Sequence, residues 1–300
     1  MREAASAPVP FRPVAAMISP AGAARRRWLV DSCATQPGTT AWRARVWEIS
    51  VICAKACRAR AVSGPSRSKA KASVNAGRLT RGTYPITFQN VLEINKLARA
   101  KLGRNLGAIE YQDAYAYATI QKYIKGAATP FPANDMQKYY VLIEVCGTET
   151  LDDIVENLYE ELSEKKLVED CIASENDTQF VSLWKLREEV AVAANQIGLV
   201  FKYDISLPVE KFEELCLIVR NKIGCLGYTM GYGHLGDGNM HINVGLYDNA
   251  KRKQVESILE PFVFEWLSNV NGSISAEHGV GRQKAKYLHY SKDKGAIELM

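Results

Sequence analysis

Three hundred residues, 47% hydrophobic and 24% charged, have the composition of an ordinary globular protein with room for one large domain or two modest ones. The formal charge of +5 is unevenly placed: residues 1–85 carry 15 of the 38 Lys and Arg but only Glu3, Asp31 and Glu48 of the 33 acids, leaving 23 basic and 30 acidic residues beyond them. That acidic remainder, with no basic face or base-stacking motif, argues against nucleic acid as a partner, and no run approaches the ~20 apolar residues of a membrane span.

The first 85 residues are rich in Ala, Arg, Ser and Pro, the composition of an organellar transit peptide. An extension joined by gene prediction upstream of the real domain would read the same way. Few periodic apolar positions offset a chain entropy of about 1–2 kcal/mol per residue, so 1–85 is expected to be a disordered basic segment ahead of a folded unit over 86–300. Seven scattered cysteines, an odd number, argue against a disulfide framework and for reducing surroundings. Cys53 and Cys57 have no nearby His partner, while Cys146, Cys171, Cys216 and Cys225 read as buried core thiols.

From Thr87 helix and strand signals alternate. Amphipathic spacing predicts helices over 91–102 and 109–124, the second carrying Tyr111, Tyr115 and Tyr117. An apolar run predicts a strand over 139–146, closed by Gly147. A helix over 151–166 has Asp152 and Asp153 in its first turn and Lys165 and Lys166 in its last, matching the helix dipole. A strand over 167–172 and a helix over 179–196 follow. After a strand over 202–207, Pro208 opens a helix over 209–222. Strands over 227–235 and 240–246 form a hairpin; a helix over 250–269, a strand over 272–276 and a short helix from Arg282 complete the chain. Such units predict an α+β fold, helices packed on an antiparallel sheet.

The hairpin carries the most chemistry. It reads Gly233-His234-Leu235-Gly236-Asp237-Gly238-Asn239-Met240-His241-Ile242-Asn243, and Ser275-Ala276-Glu277-His278-Gly279 lies downstream; these two segments hold three of the four histidines. Asp-Gly between apolar-rich runs is a strong two-residue turn signal. A turn centred on Asp237-Gly238, or a four-residue loop over 236–239, sets His234 directly opposite His241, with Cβ atoms roughly 5 Å apart. Asn243 points to the same face. Two imidazoles and a carboxylate suit a divalent metal with open positions, Zn²⁺ first and Mn²⁺ or Fe²⁺ as alternatives, and Glu277 is the candidate third ligand. A cross-strand pair of polar residues without metal is the plainer alternative. Gly279 and Gly281 allow the backbone to turn out of a strand, so that Glu277 and His278 can face one cleft.

These two segments resemble the C-terminal half of FAD-linked 2-hydroxy-acid dehydrogenases. The resemblance runs from about Phe88 to Met300 and includes Phe88-Gln89-Asn90-Val91-Leu92, Ala108-Ile109-Glu110-Tyr111-Gln112-Asp113-Ala114 and Tyr140-Val141-Leu142-Ile143-Glu144. It continues through Leu183-Trp184-Lys185-Leu186-Arg187-Glu188 and the run from Lys202 to Glu210. It implies a ferredoxin-like substrate domain, and it is nearest in pattern to the members that oxidise D-2-hydroxyglutarate to 2-oxoglutarate with hydride transfer to FAD. D-lactate and glycolate are the alternative substrates. The resemblance further implies a metal held by His234, His241 and Glu277, His278 as the base, and Arg187, Lys202 and Asn243 as substrate-binding residues. It also implies an electron-transfer flavoprotein as electron acceptor, a mitochondrial matrix location and a homodimer. On spacing alone Arg187 reads instead as a helix-surface partner of Glu188 or Glu189, and Lys202 as the cap of a strand.

The sequence departs from the family in three places. Ala191 stands where close relatives place a hydroxyl residue four positions after the arginine. Nothing in 1–85 resembles the glycine-rich FAD-binding half, and the chain stops at Met300, short of the usual tail. A non-catalytic hydroxy-acid and metal-binding fragment is therefore the alternative expectation.

Overall fold

The computed structural model describes residues 48–55, 87–127, 130–131, 138–147, 151–174 and 176–300. Its first half runs β1 (Glu48–Lys55), α1 (Phe88–Leu102), β2 (Leu106–Asp113), α2 (Ala114–Tyr123), β3 (Lys138–Val145), α3 (Asp152–Glu164), β4 (Asp170–Ala173), α4 (Asp177–Glu188) and α5 (Val190–Asn195). Its second runs β5 (Val200–Ser206), α6 (Phe212–Ile223), β6 (Gly227–His234), β7 (Asn239–Leu246), α7 (Arg252–Leu259), α8 (Phe262–Asn269), α9 (Gly281–Lys284) and α10 (Lys294–Leu299). The strands form one sheet in the order β4-β1-β3-β2-β6-β7-β5. From β3 to β5 neighbours are antiparallel, whereas β1 pairs parallel with both β3 and β4. The fold is α+β as expected, with a parallel edge that was not.

Strand β1 falls within the segment 1–85 that was expected to be disordered. Glu48–Lys55 reads Glu-Ile-Ser-Val-Ile-Cys-Ala-Lys, and a β-branched run of that kind favours a pleated strand. The rest of that expectation, with Cys57, lies outside the described residues.

Alternation along each strand sends one set of side chains to each face. Tyr111, Val141, Ile143, Ile205, Ile242 and Val244 pack against Val91, Leu158, Phe212, Val255 and Phe264 of α1, α3, α6, α7 and α8. Full burial of each such side chain contributes about 1.5–3 kcal/mol. On the opposite face Tyr140, Leu142, Met230 and Tyr232 meet Tyr117, Leu183 and Ala193 of α2, α4 and α5. Towards β5 this second apolar layer gives way to polar side chains, and the candidate site lies there.

Several elements differ from the sequence reading. The helix expected over 109–124 is a strand and then a helix, because β2 is buried on both faces from Ile109 to Asp113 and shows no alternation. Asp113 marks the change: its Oδ1 accepts the Ala116 N–H at 2.9 Å and caps α2. The expected helix over 179–196 is interrupted at Glu189. That over 250–269 breaks at Pro261, which lacks the N–H a continuous helix needs. The expected strand over 272–276 is a single bridge, Ser273 to Ser206. Cys171 and Cys216 are buried, but Cys146 is half-buried and Cys225 exposed.

The hairpin register also differs. His234 opposes Asn239 and His241 opposes Tyr232, so the loop is Leu235–Gly238, one residue earlier than expected. A shift of two in pairing leaves every side chain on its predicted face. Gly238 closes the loop at φ +78°, and a Cβ there would lie 2.8 Å from the Leu207 carbonyl oxygen. Gly238→Ala is therefore expected to destabilise the fold by about 1–3 kcal/mol, seen as a lower urea midpoint at unchanged m-value.

Candidate metal centre

Four antiparallel strands lay out a polar patch in rows. Glu110 of β2 stands beside His234 of β6; Tyr232 of β6, His241 of β7 and Asp204 of β5 form the next row; Asn243 and Lys202 are paired in the row beyond. The chain after β5's single bridge then brings in Glu277 and His278. Gly279 at φ +76° and Gly281 at φ +56° turn it away from the sheet, as the sequence anticipated.

One ligand atom from each of His234, His241 and Glu277 lies within 4.8 Å of the others. Glu277 Oε1 is the focus, 3.2 Å from His241 Nε2 and 3.7 Å from His234 Nε2. Each imidazole has a carboxylate behind its other nitrogen: Glu110 Oε1 is 2.8 Å from His234 Nδ1, and Asp204 Oδ1 is 3.7 Å from His241 Nδ1. A carboxylate only accepts, so the proton of His234 sits on Nδ1 and the Nε2 lone pair faces Glu277. Arg187 meets that lone pair from the side, its terminal amine 3.2 Å away, while its Nε donates to Glu110 at 2.8 Å. Two Nε2 atoms and a carboxylate, with carboxylates behind, form a donor set that fits a divalent cation.

The two histidines titrate in opposite directions. The hydrogen bond to Glu110 raises the His234 pKa, whereas burial, reinforced by Arg187, lowers that of His241 to about 4. A raised pKa keeps the proton on at higher pH, so a metal at His234 must displace a proton that His241 no longer holds. Divalent-metal affinity is accordingly expected to fall between pH 8 and 5 with uptake of one proton at His234. Titrations at three pH values in buffers of different ionisation enthalpy measure this; pH-independent affinity would remove His234 from the ligand set.

A cleft of about 500 Å³ opens beside these groups, lined by Ala191, Lys202, Tyr232, His241, Asn243 and His278 among others. Asn243 Nδ2 donates to the Tyr232 hydroxyl at 3.0 Å, and the Tyr232 ring stacks on His241. His278 is exposed, its ring centre 5.7 Å from that of His241. Lys202 is exposed, whereas Arg187 is buried against Glu110 and the face of Tyr232.

Residues 83–300 match the family described as FAD linked oxidases, C-terminal domain. The chain belongs to this family. It is 40% identical over 205 residues to a probable mitochondrial D-2-hydroxyglutarate dehydrogenase of Oryza sativa subsp. japonica, covering 68% of the chain and 36% of the relative. It is 37% identical over 219 residues to the mitochondrial D-2-hydroxyglutarate dehydrogenase of Danio rerio, covering 71% and 40%. It is also 35% identical over 228 residues to a putative mitochondrial D-lactate dehydrogenase of Schizosaccharomyces pombe, covering 71% and 42%. The chain thus spans about two-fifths of the length of these relatives. Among its described residues no helix is long and apolar enough to cross a membrane.

Sequence reasoning missed Glu110, Asp204 and Tyr232. Asp204 was within reach, since it lies two residues from Lys202 on the same strand and so on the same face. Tyr232 stands in the same relation to His234. Glu110 was hidden by the reading of its strand as a helix.

Proposed function

We propose that this chain provides the substrate- and metal-binding part of a mitochondrial-matrix, FAD-dependent D-2-hydroxyglutarate dehydrogenase that delivers electrons to an electron-transfer flavoprotein. The observation that carries the reading is the convergence of both Nε2 atoms on Glu277 Oε1, at 3.2 and 3.7 Å, each imidazole backed by a carboxylate. His234, His241 and Glu277 hold the metal, Zn²⁺ on the strength of this His₂Glu set. When bound, the metal would supply Lewis acidity at the substrate hydroxyl, and FAD would supply the hydride-accepting chemistry. His278, at the mouth of the cleft, takes the hydroxyl proton. Lys202 and Asn243 orient the carboxylates from the cleft wall. Arg187, its Nε held by Glu110, offers its terminal amine to the substrate on the metal side.

The site is tested by loading. Wild-type protein is expected to bind one Zn²⁺, and His241→Ala to bind it at least ~100-fold more weakly, beyond the 10–100-fold typical of losing a mere supporting contact. Zn²⁺-loaded protein should bind D-2-hydroxyglutarate more tightly than D-lactate in calorimetry, because Lys202 has a second carboxylate to engage. Equal affinity for the two acids would overturn the substrate assignment, and absence of Zn²⁺ binding the metal site.

A further inference from the structure

Asp204 is a buried carboxylate, 5% exposed, at the centre of β5. One oxygen, Oδ2, accepts three successive backbone N–H groups, from Ala276 at 3.3 Å, Glu277 at 3.1 Å and His278 at 2.8 Å. The other, Oδ1, has no accessible surface and no hydrogen-bond partner among the described residues; it faces His241 Nδ1 at 3.7 Å. The backbone of the same strand is held as well, since Lys284 Nζ donates to the carbonyls of Asp204 and Ile274 at 3.3 and 2.9 Å. A buried carboxylate oxygen left without a donor is costly, and the group nearest to meet it is the imidazole N–H of His241.

We propose that Asp204 is the positioning residue of this site: a single side chain that fixes the segment carrying Glu277 and His278 and, through its free oxygen, orients His241. The inference rests on the metal reading above. The backbone bonds replace the strand pairing that this segment lacks beyond Ser273. Through Oδ1, a proton on His241 Nδ1 is kept facing Asp204, which leaves Nε2 aimed at Glu277. Withdrawal of electron density at Nε2 would strengthen the N–H donor opposite, the one that faces Oδ1. One carboxylate thereby links a ligand from the sheet to a ligand and a proton acceptor from the loop.

Asp204→Asn keeps the shape and an acceptor for the loop but removes the charge. It is expected to weaken Zn²⁺ binding by 10–100-fold and to alter the visible spectrum of the Co²⁺-loaded protein. Leu162→Ala, in the core remote from the site, should lower thermal stability with metal affinity unchanged, so loss of stability alone would not reproduce the Asp204→Asn result. Hydrogen exchange on the wild-type protein provides a measurement that needs no variant: the amides of Ala276, Glu277 and His278 should be protected, and more so with Zn²⁺. Unprotected amides, or an Asp204→Asn protein with wild-type Zn²⁺ affinity and Co²⁺ spectrum, would overturn this inference alone. A wild-type protein that binds no metal would overturn it together with the metal site.

Discussion

Arg187→Ala should destabilise the protein by about 3–5 kcal/mol, the loss expected when one partner of a buried ion pair is removed and the other stays behind. Arg187 and Glu110 are both buried, with side chains 9% and 6% exposed, and they are joined at 2.8 Å. Truncation leaves the Glu110 carboxylate with His234 as its remaining partner and opens a cavity beneath Tyr232, whose ring the guanidinium covers at 4.9 Å. Replacing both members with apolar residues of similar volume, as in the Glu110→Leu, Arg187→Met double variant, should recover most of that stability, because no buried charge is left. It should not recover the site. With Glu110 gone nothing holds the proton on His234 Nδ1, and Zn²⁺ affinity should stay 10–100-fold below wild type. Chemical denaturation and metal titration on the three proteins separate the two effects. A double variant that regained stability and metal affinity together would show that Glu110 serves folding only.

The same pair illustrates what a reader of the sequence could and could not see. The ligand set was legible because its residues are rare types on short-range geometry: two histidines on one hairpin share a face whatever the exact register. The register itself was misplaced. The Leu235 N–H pairs with the Ile109 carbonyl of β2 at 3.0 Å, so Leu235 leaves the hairpin ladder and the loop closes one residue earlier than the Asp-Gly signal suggests. That pairing comes from a third strand more than a hundred residues away, and nothing local announces it. Glu110 was lost for a related reason, since a strand covered on both faces offers no period of two. Arg187 was placed by family likeness near a substrate carboxylate; its buried partner could not be named until β2 was known to be a strand next to β6.

His278→Ala should lower kcat by ~10²–10⁴-fold, the range for loss of a general base, while Zn²⁺ content stays at the wild-type level. Its placement makes the two readouts separable. His278 Nε2 is 3.6 Å from Glu277 Oε1, but its side chain is 68% exposed, and it is not one of the three residues whose ligand atoms cluster within 4.8 Å. Its backbone N–H, not its ring, is what Asp204 holds, so the substitution leaves the loop anchored and Glu277 in place. The ring projects into the cleft that Lys202 and Asn243 also line, where a substrate hydroxyl beside the metal ligands would meet it. The assay uses the chain joined to a FAD-binding half, with D-2-hydroxyglutarate and an artificial electron acceptor, and His289→Ala serves as the control, being the one histidine outside the two site segments. Joint loss of metal and activity in His278→Ala would instead make His278 a fourth ligand and leave the proton with no acceptor among these residues.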